Sequence, residues 1–161
     1  FNDFNERRLR MASFEATVSI SCVRQAAFDF LIRPENALLT SPPDLSVQLL
    51  DAPDVLQLGS LVEFEVAGFG PVQRMLHEIT AFDGPSHFTE TQLKGPLKSF
   101  VHEHLVEQDG DGVIVIDRIA FEPPGGLAGF IVTEALIQKS LAGGFEHRHL
   151  TLKRILEEAA D

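Results

Sequence analysis

Residues 97–121 read LKSFVHEHLVEQDGDGVIVIDRIAF. Two runs rich in β-branched and aromatic residues flank Asp109-Gly110-Asp111-Gly112, which has the composition of a hairpin turn. In an antiparallel pair, opposite residues keep a constant index sum, so placing Gln108 opposite Val113 fixes the register. His104 then faces Asp117, His102 faces Ile119 and Phe100 faces Phe121. On the other side Glu103 meets Arg118, an opposite-charge pair suited to water. The side carrying two histidines and a carboxylate is therefore the one expected to face the core.

The neighbouring turns extend the same argument. A Gly95-Pro96-Leu97 loop puts Phe88 opposite His104, Glu90 opposite His102 and Gln92 opposite Phe100. Residues 83–86, DGPS, set Ile79 against Glu90 and His77 against Gln92; residues 68–71, GFGP, set Met75 against Phe64 and His77 against Val62. One face thus gathers Val62, Phe64, Met75, Ile79, Phe88, Phe100, Ile119 and Phe121, and also His77, Glu90, Gln92, His102, His104 and Asp117. Buried carboxylates cost several kcal/mol unless paired. The register supplies two acid–imidazole pairs, Glu90–His102 and His104–Asp117. Such a mixture suits the wall of a wet pocket, mostly apolar with a few converging polar groups.

Away from the hairpins, Phe14, Ala16, Val18 and Ile20 alternate with polar residues as in a half-buried strand. Ser21 is expected to cap a helix whose stripe is Phe28, Leu31 and Ile32. A second short helix is expected over PENALL (34–39), and SPPD (41–44) ends it. LSVQLLD (45–51) reads as a strand. Residues 127–160 read as one long helix with Phe130, Ile137, Leu141, Phe145, Leu152 and Ile155 on one face. Gly143 and Gly144 inside it each cost ~1 kcal/mol relative to Ala, which predicts close packing or a bend there. Arg148 falls on the apolar stripe and is expected to point at the sheet. His147 and His149 beside it are expected to be solvated. The predicted class is α+β: about seven antiparallel strands, two short helices after the first strand, and a long C-terminal helix.

Composition narrows the function. The 161 residues carry a formal net charge of −11, which repels phosphate backbones and anionic headgroups, so neither nucleic acid nor membrane is an expected partner. A single cysteine, Cys22, excludes an internal disulfide and a cysteine zinc cage, and fits a reducing, cytoplasmic location. Residues 11–161 are expected to form one domain. The polar segment 1–10 has no signal-peptide core and is expected to stand outside the fold.

FTETQLKGPLKSFVHEH (88–104), DRIAFEPPGG (117–126), FEHR (145–148) and RPENALLTSPP (33–43) together resemble the SRPBCC superfamily, and most of all its small bacterial ligand-binding members. These are the START-like and polyketide-cyclase-like helix-grip domains. The resemblance runs from Phe14 to about Ile155. It implies a curved sheet gripping the long helix around a deep cavity for a lipid-like, sterol or polyketide-like molecule, with cyclisation or dehydration in some members. Where members often carry Trp before the paired histidines, this chain has Phe100, and it has no Trp or Tyr at all. The histidines, Arg148 and Gln92 would then hold a ligand's polar end.

The candidate ligand-binding residues are His77, Phe88, Glu90, Gln92, Phe100, His102, His104, Asp117, Phe121 and Arg148. If the protein is an enzyme of the cyclase/dehydratase type, His104 oriented by Asp117, or Glu90, would move a proton, and Arg148 would steady an oxyanion. Against this stand plain structural roles: a buried network fixing the sheet, and an internal salt bridge from Arg148 to Glu90 or Asp117. His77, toward one end of the sheet, is expected to be the weakest member and exposed. A zinc ion on His102, His104 and Asp117 ranks below these readings, and no metal or cofactor is expected. A third function is a protein-interaction module without a small ligand, which a filled interior would favour. A homodimer is left open.

Overall fold

A computed structural model describes residues 11–68 and 70–160; the segment 1–10 set apart above lies outside the described residues. The elements run β1 (Ala12–Ile20), α1 (Arg24–Leu31), α2 (Asn36–Thr40), β2 (Ser46–Asp51), β3 (Leu61–Ala67), β4 (Gln73–Asp83), β5 (His87–Lys94), β6 (Ser99–Asp109), β7 (Gly112–Glu122), α3 (Ala128–Ile131) and α4 (Glu134–Glu158). The strands form one antiparallel sheet in the order β1-β7-β6-β5-β4-β3-β2. β2 to β7 make a meander, and β1 closes onto β7 with Phe14 opposite Ile119 and Ala16 opposite Asp117. The sheet curves, and the long helix lies across its inner face.

The hairpin registers follow the turn chemistry. His104 pairs with Asp117, His102 with Ile119, Phe100 with Phe121 and Glu103 with Arg118. Phe88 pairs with His104 and Glu90 with His102; His77 pairs with Val62 and Met75 with Phe64. At β6–β7 the turn is one pair tighter than expected. Asp109 pairs with Gly112, and Gly110 takes the left-handed conformation (φ 58) that a two-residue turn requires. At β4–β5, Asp83 pairs with His87, which shifts the index sum by one. A bulge between Ile79 and Ala81 shifts it back, so Ile79 still faces Glu90. The two departures cancel on the inner face.

Three local expectations are corrected. Ser21 does not cap α1. The cap position is Val23, without a side-chain bond, because Cys22 first turns back onto the Ile20 carbonyl. The Ser21 amide instead donates to Glu157 Oε1 at 2.9 Å, tying the end of β1 to the end of α4. The segment expected as one helix is two. Thr133 stands extended between α3 and α4, and its hydroxyl accepts the Leu136 amide at 3.3 Å as a true N-cap. Phe130 therefore sits on α3, 82% exposed, and not on the buried face. Gly143 and Gly144 do not mark close packing, since a Cβ added at either would meet open space.

The core is built where α4 and α1 cover the sheet. Leu152 and Leu156 from α4 and Phe28 from α1 are buried with Ile79, Phe88, Val106, Val113 and Val115. Phe28 meets Phe82 and Phe88 edge-on at 5.6 and 5.9 Å between ring centres. Full burial of such side chains stabilises by about 1.5–3 kcal/mol each.

Candidate functional site

Four strands and α4 bring seven polar side chains to one region of the inner face. β4 supplies His77, β5 Glu90, β6 His102 and His104, β7 Asp117, and α4 Arg148 and His149. Strand alternation explains the first five, since paired positions two apart share a face. His77, His102 and His104 are each 4% exposed and Asp117 is 0% exposed. His77 is thus as buried as the others, against expectation, because Phe64 and Phe100 pack on it at 4.9 and 5.7 Å.

Asp117 is the hub. His102 Nε2 donates to Asp117 Oδ1 at 2.7 Å, and His149 Nε2 donates to Oδ2 at 2.6 Å. His104 Nδ1 lies 3.1 Å from Oδ1 but lacks the alignment of a hydrogen bond. Asp117 is therefore shared rather than paired with His104 alone. Glu90, 22% exposed, accepts from His102 Nδ1 at 3.2 Å. Its Oε1 also faces His77 Nδ1 at 3.7 Å and His104 Nε2 at 3.8 Å. His104 stacks flat on Phe88 at 4.2 Å and lies 3.7 Å from the His102 ring.

These contacts set the charge states. Burial pushes the Asp117 carboxyl up, but His102, His104, His149 and the Arg148 charge together hold it well below the usual carboxylate range. Burial likewise opposes ionisation of Glu90, and His102, His104 and His77 outweigh it, leaving Glu90 well below that range too. His102 is raised: burial pulls its imidazolium down, and Asp117 and Glu90 more than restore it. Asp117 and Glu90 are thus held ionised by the imidazoles around them, with the Arg148 charge adding to the effect at Asp117.

His149 is the member that the sequence does not reveal, since its place beside Arg148 and His147 suggests a solvated face. In the structure it is 6% exposed. At about 100° per residue, Phe145, His149, Leu152 and Leu156 fall on one narrow stripe, and the residues fitting it are buried or half-buried. Arg148 lies on the flank of that stripe. Its guanidinium stands 5.8 Å from the Phe145 ring centre, and its Nε is buried without a hydrogen-bond partner. Among the described residues no ion pair joins it to Glu90 or Asp117. It lines a hollow of about 20 Å³ with Phe30, Leu31, Asn36, Thr40 and Leu152, room for one water.

Gln92 does not join the cluster, since its amide donates to the Leu97 carbonyl at 2.8 Å and closes its own turn. Phe121 is core, fully buried. The expected wet wall is thus largely sealed by rings: side chains lining open water would not be 4–6% exposed. The interior is less closed beside it. Leu49, Phe64, Met75 and Phe100 of the inner face, with Leu141 and Phe145 of α4, are all only half-buried.

No known family profile matches the chain, and no curated protein matches it. Solved structures do. The di-domain ARO/CYC protein StfQ from the steffimycin biosynthetic pathway is 13% identical with a TM-score of 0.75, over 98% of this chain and 54% of StfQ. Protein CV1439 from Chromobacterium violaceum is 9% identical with a TM-score of 0.72, over 91% and 98% of the two chains. Ginseng major latex-like protein 151 from Panax ginseng is 17% identical with a TM-score of 0.63, over 93% and 97%. The fold is therefore the Bet v1-like helix grip: a seven-stranded antiparallel sheet, short helices after the first strand, and a long C-terminal helix. None of the helices among the described residues is long and apolar enough to cross a membrane.

Proposed function

We propose that the protein binds a small amphipathic or apolar molecule between the inner sheet face and α4. Its apolar part lies against Phe64, Met75, Phe100 and Phe145, and its polar end is turned toward Glu90 and the histidines. The observation that carries this reading is the half-exposure of those apolar side chains beside a largely buried polar cluster. A groove apolar along its length and polar at one end matches an amphipathic ligand. The solved structures of like fold agree with this reading through the fold alone.

The test is titration with the apolar dye anilinonaphthalene sulfonate, with native mass spectrometry of the protein as purified from cells. Saturable one-site binding that weakens at least tenfold in Phe100→Glu but not in Val72→Glu supports the proposal, Val72 being exposed. Dye binding indifferent to Phe100→Glu defeats it and leaves the interaction module, with its closed interior, as the better reading.

A second reading is favoured by His104, whose two ring nitrogens lack hydrogen-bond partners. There the imidazole, beside Asp117, or the ionised Glu90, takes a proton next to a ligand carbonyl, as in cyclisation or dehydration. His104→Leu separates the two. A binder keeps its fold with modest loss of affinity, whereas an enzyme loses turnover by orders of magnitude.

A further inference from the structure

We propose that Glu90, His102, His104 and His77 form a binding site for one divalent transition-metal ion, with Asp117 orienting two of the imidazoles from behind. The donor atoms of Glu90, His102 and His104 already lie within 4.8 Å of one another; His77 stands outside that set and joins it through Glu90 alone. Three imidazole nitrogens face a single carboxylate oxygen: His102 Nδ1 at 3.2 Å, His77 Nδ1 at 3.7 Å and His104 Nε2 at 3.8 Å from Glu90 Oε1. Ligand atoms held about 2.0–2.1 Å from a tetrahedral ion stand about 3.4 Å apart. The observed spacings bracket that value. Two of them are too long for hydrogen bonds.

The imidazoles themselves point to a missing partner. His77 and His104 are each 4% exposed, yet none of their four ring nitrogens makes a hydrogen bond. Buried polar groups in native proteins are almost always satisfied, and an orphan costs free energy. A cation between them and Glu90 satisfies one nitrogen of each ring at once.

The far side of the cluster has the form of a metal site's outer shell. A ligating histidine commonly turns its other ring nitrogen to a carboxylate, which fixes tautomer and ring orientation. His102 presents Nδ1 to Glu90 and Nε2 to Asp117 at 2.7 Å. His104 presents Nε2 to Glu90 and Nδ1 to Asp117 at 3.1 Å. His149 holds Asp117 in place from α4 at 2.6 Å. Asp117, which the sequence offered as a third ligand, thus stands behind the ring pair instead, and β4 and β5 supply the ligands from further elements. Three imidazoles and a carboxylate suit zinc, iron(II), cobalt or nickel rather than calcium or magnesium. The two carboxylates would neutralise the dication in a site that rings close to solvent.

The same Glu90 and histidines stand at the polar end of the groove proposed above, but the ion needs no organic ligand, so the site is tested without one. Metal-free full-length protein, prepared with a chelator, is titrated with Zn²⁺ by calorimetry and with Co²⁺ by visible absorption. The expected result is one ion per chain, with a melting temperature that rises with metal concentration. Glu90→Gln and His102→Gln should each weaken binding at least tenfold, and Asp117→Asn by about 10–100-fold. His147→Gln, half-buried and in contact with Thr151 of the same helix, should bind as wild type. Circular dichroism checks that each variant is folded. The wild-type titration decides alone if one is not: absence of saturable binding of both ions overturns the proposal, as does stoichiometric binding unaffected by a folded Glu90→Gln protein.

Discussion

Asp117 has no contact with water and depends on imidazoles for its charge. Removing a partner from a buried charge is costlier than removing the pair together, because the remaining group stays desolvated. His149→Leu should therefore destabilise by about 1–3 kcal/mol, read from urea unfolding, while His147→Leu next to it stays within about 0.5 kcal/mol. Equal effects would mean that the α4 bond to Asp117 carries no weight. The hairpin partners of Asp117 could be read from turn chemistry, since they are close in sequence. His149 is 32 residues away, and only the rotation of α4 about its axis brings it in. A histidine beside an arginine reads as solvated until the Phe145-to-Leu156 stripe is drawn through it.

At the scale of elements, α4 carries an unusual weakness. Gly143 and Gly144 stand in its middle with open space where their side chains would be. Replacing either by Ala should raise stability by about 0.5–1 kcal/mol, through the entropy of the unfolded chain. Thermal unfolding of the two single variants checks this, and a fall in melting temperature would show a close approach that the geometry does not contain. At the start of the same helix, Thr133→Ala should cost about 1 kcal/mol, because the Leu136 amide loses its acceptor. Strand registers were legible because Gly, Pro and Asp mark the turns and the face pattern tolerates no slip by one. The bulge after Ile79 left no such mark; it became visible only as the compensation for a tighter turn. The break before α4 was legible in principle, since Thr-Glu-Ala-Leu has the form of a cap, but the apolar run across it read as continuous helix.

For the whole molecule, the buried cluster predicts how the stability of metal-free protein depends on pH. Asp117 and Glu90 are depressed in the folded state. Their contribution is present above the unfolded carboxylate values near pH 4, and it is lost as pH falls through the folded values. His102 is raised. Its contribution is complete below about pH 6.5 and is lost as pH rises through the folded value. Both are complete together only between roughly pH 4.5 and 6.5, so the melting temperature of metal-free protein should peak there. The net charge of −11 favours a peak on the same side, because self-repulsion grows as pH rises. Salt separates the two causes. At roughly 0.5 M the Debye length falls to about 4 Å, which screens surface repulsion but leaves buried contacts largely intact. If the cluster is responsible, the peak survives high salt, Asp117→Asn flattens its acid limb, and His102→Gln flattens its alkaline limb. A peak that vanishes in salt while both variants follow the wild-type profile would assign the effect to the acidic surface instead.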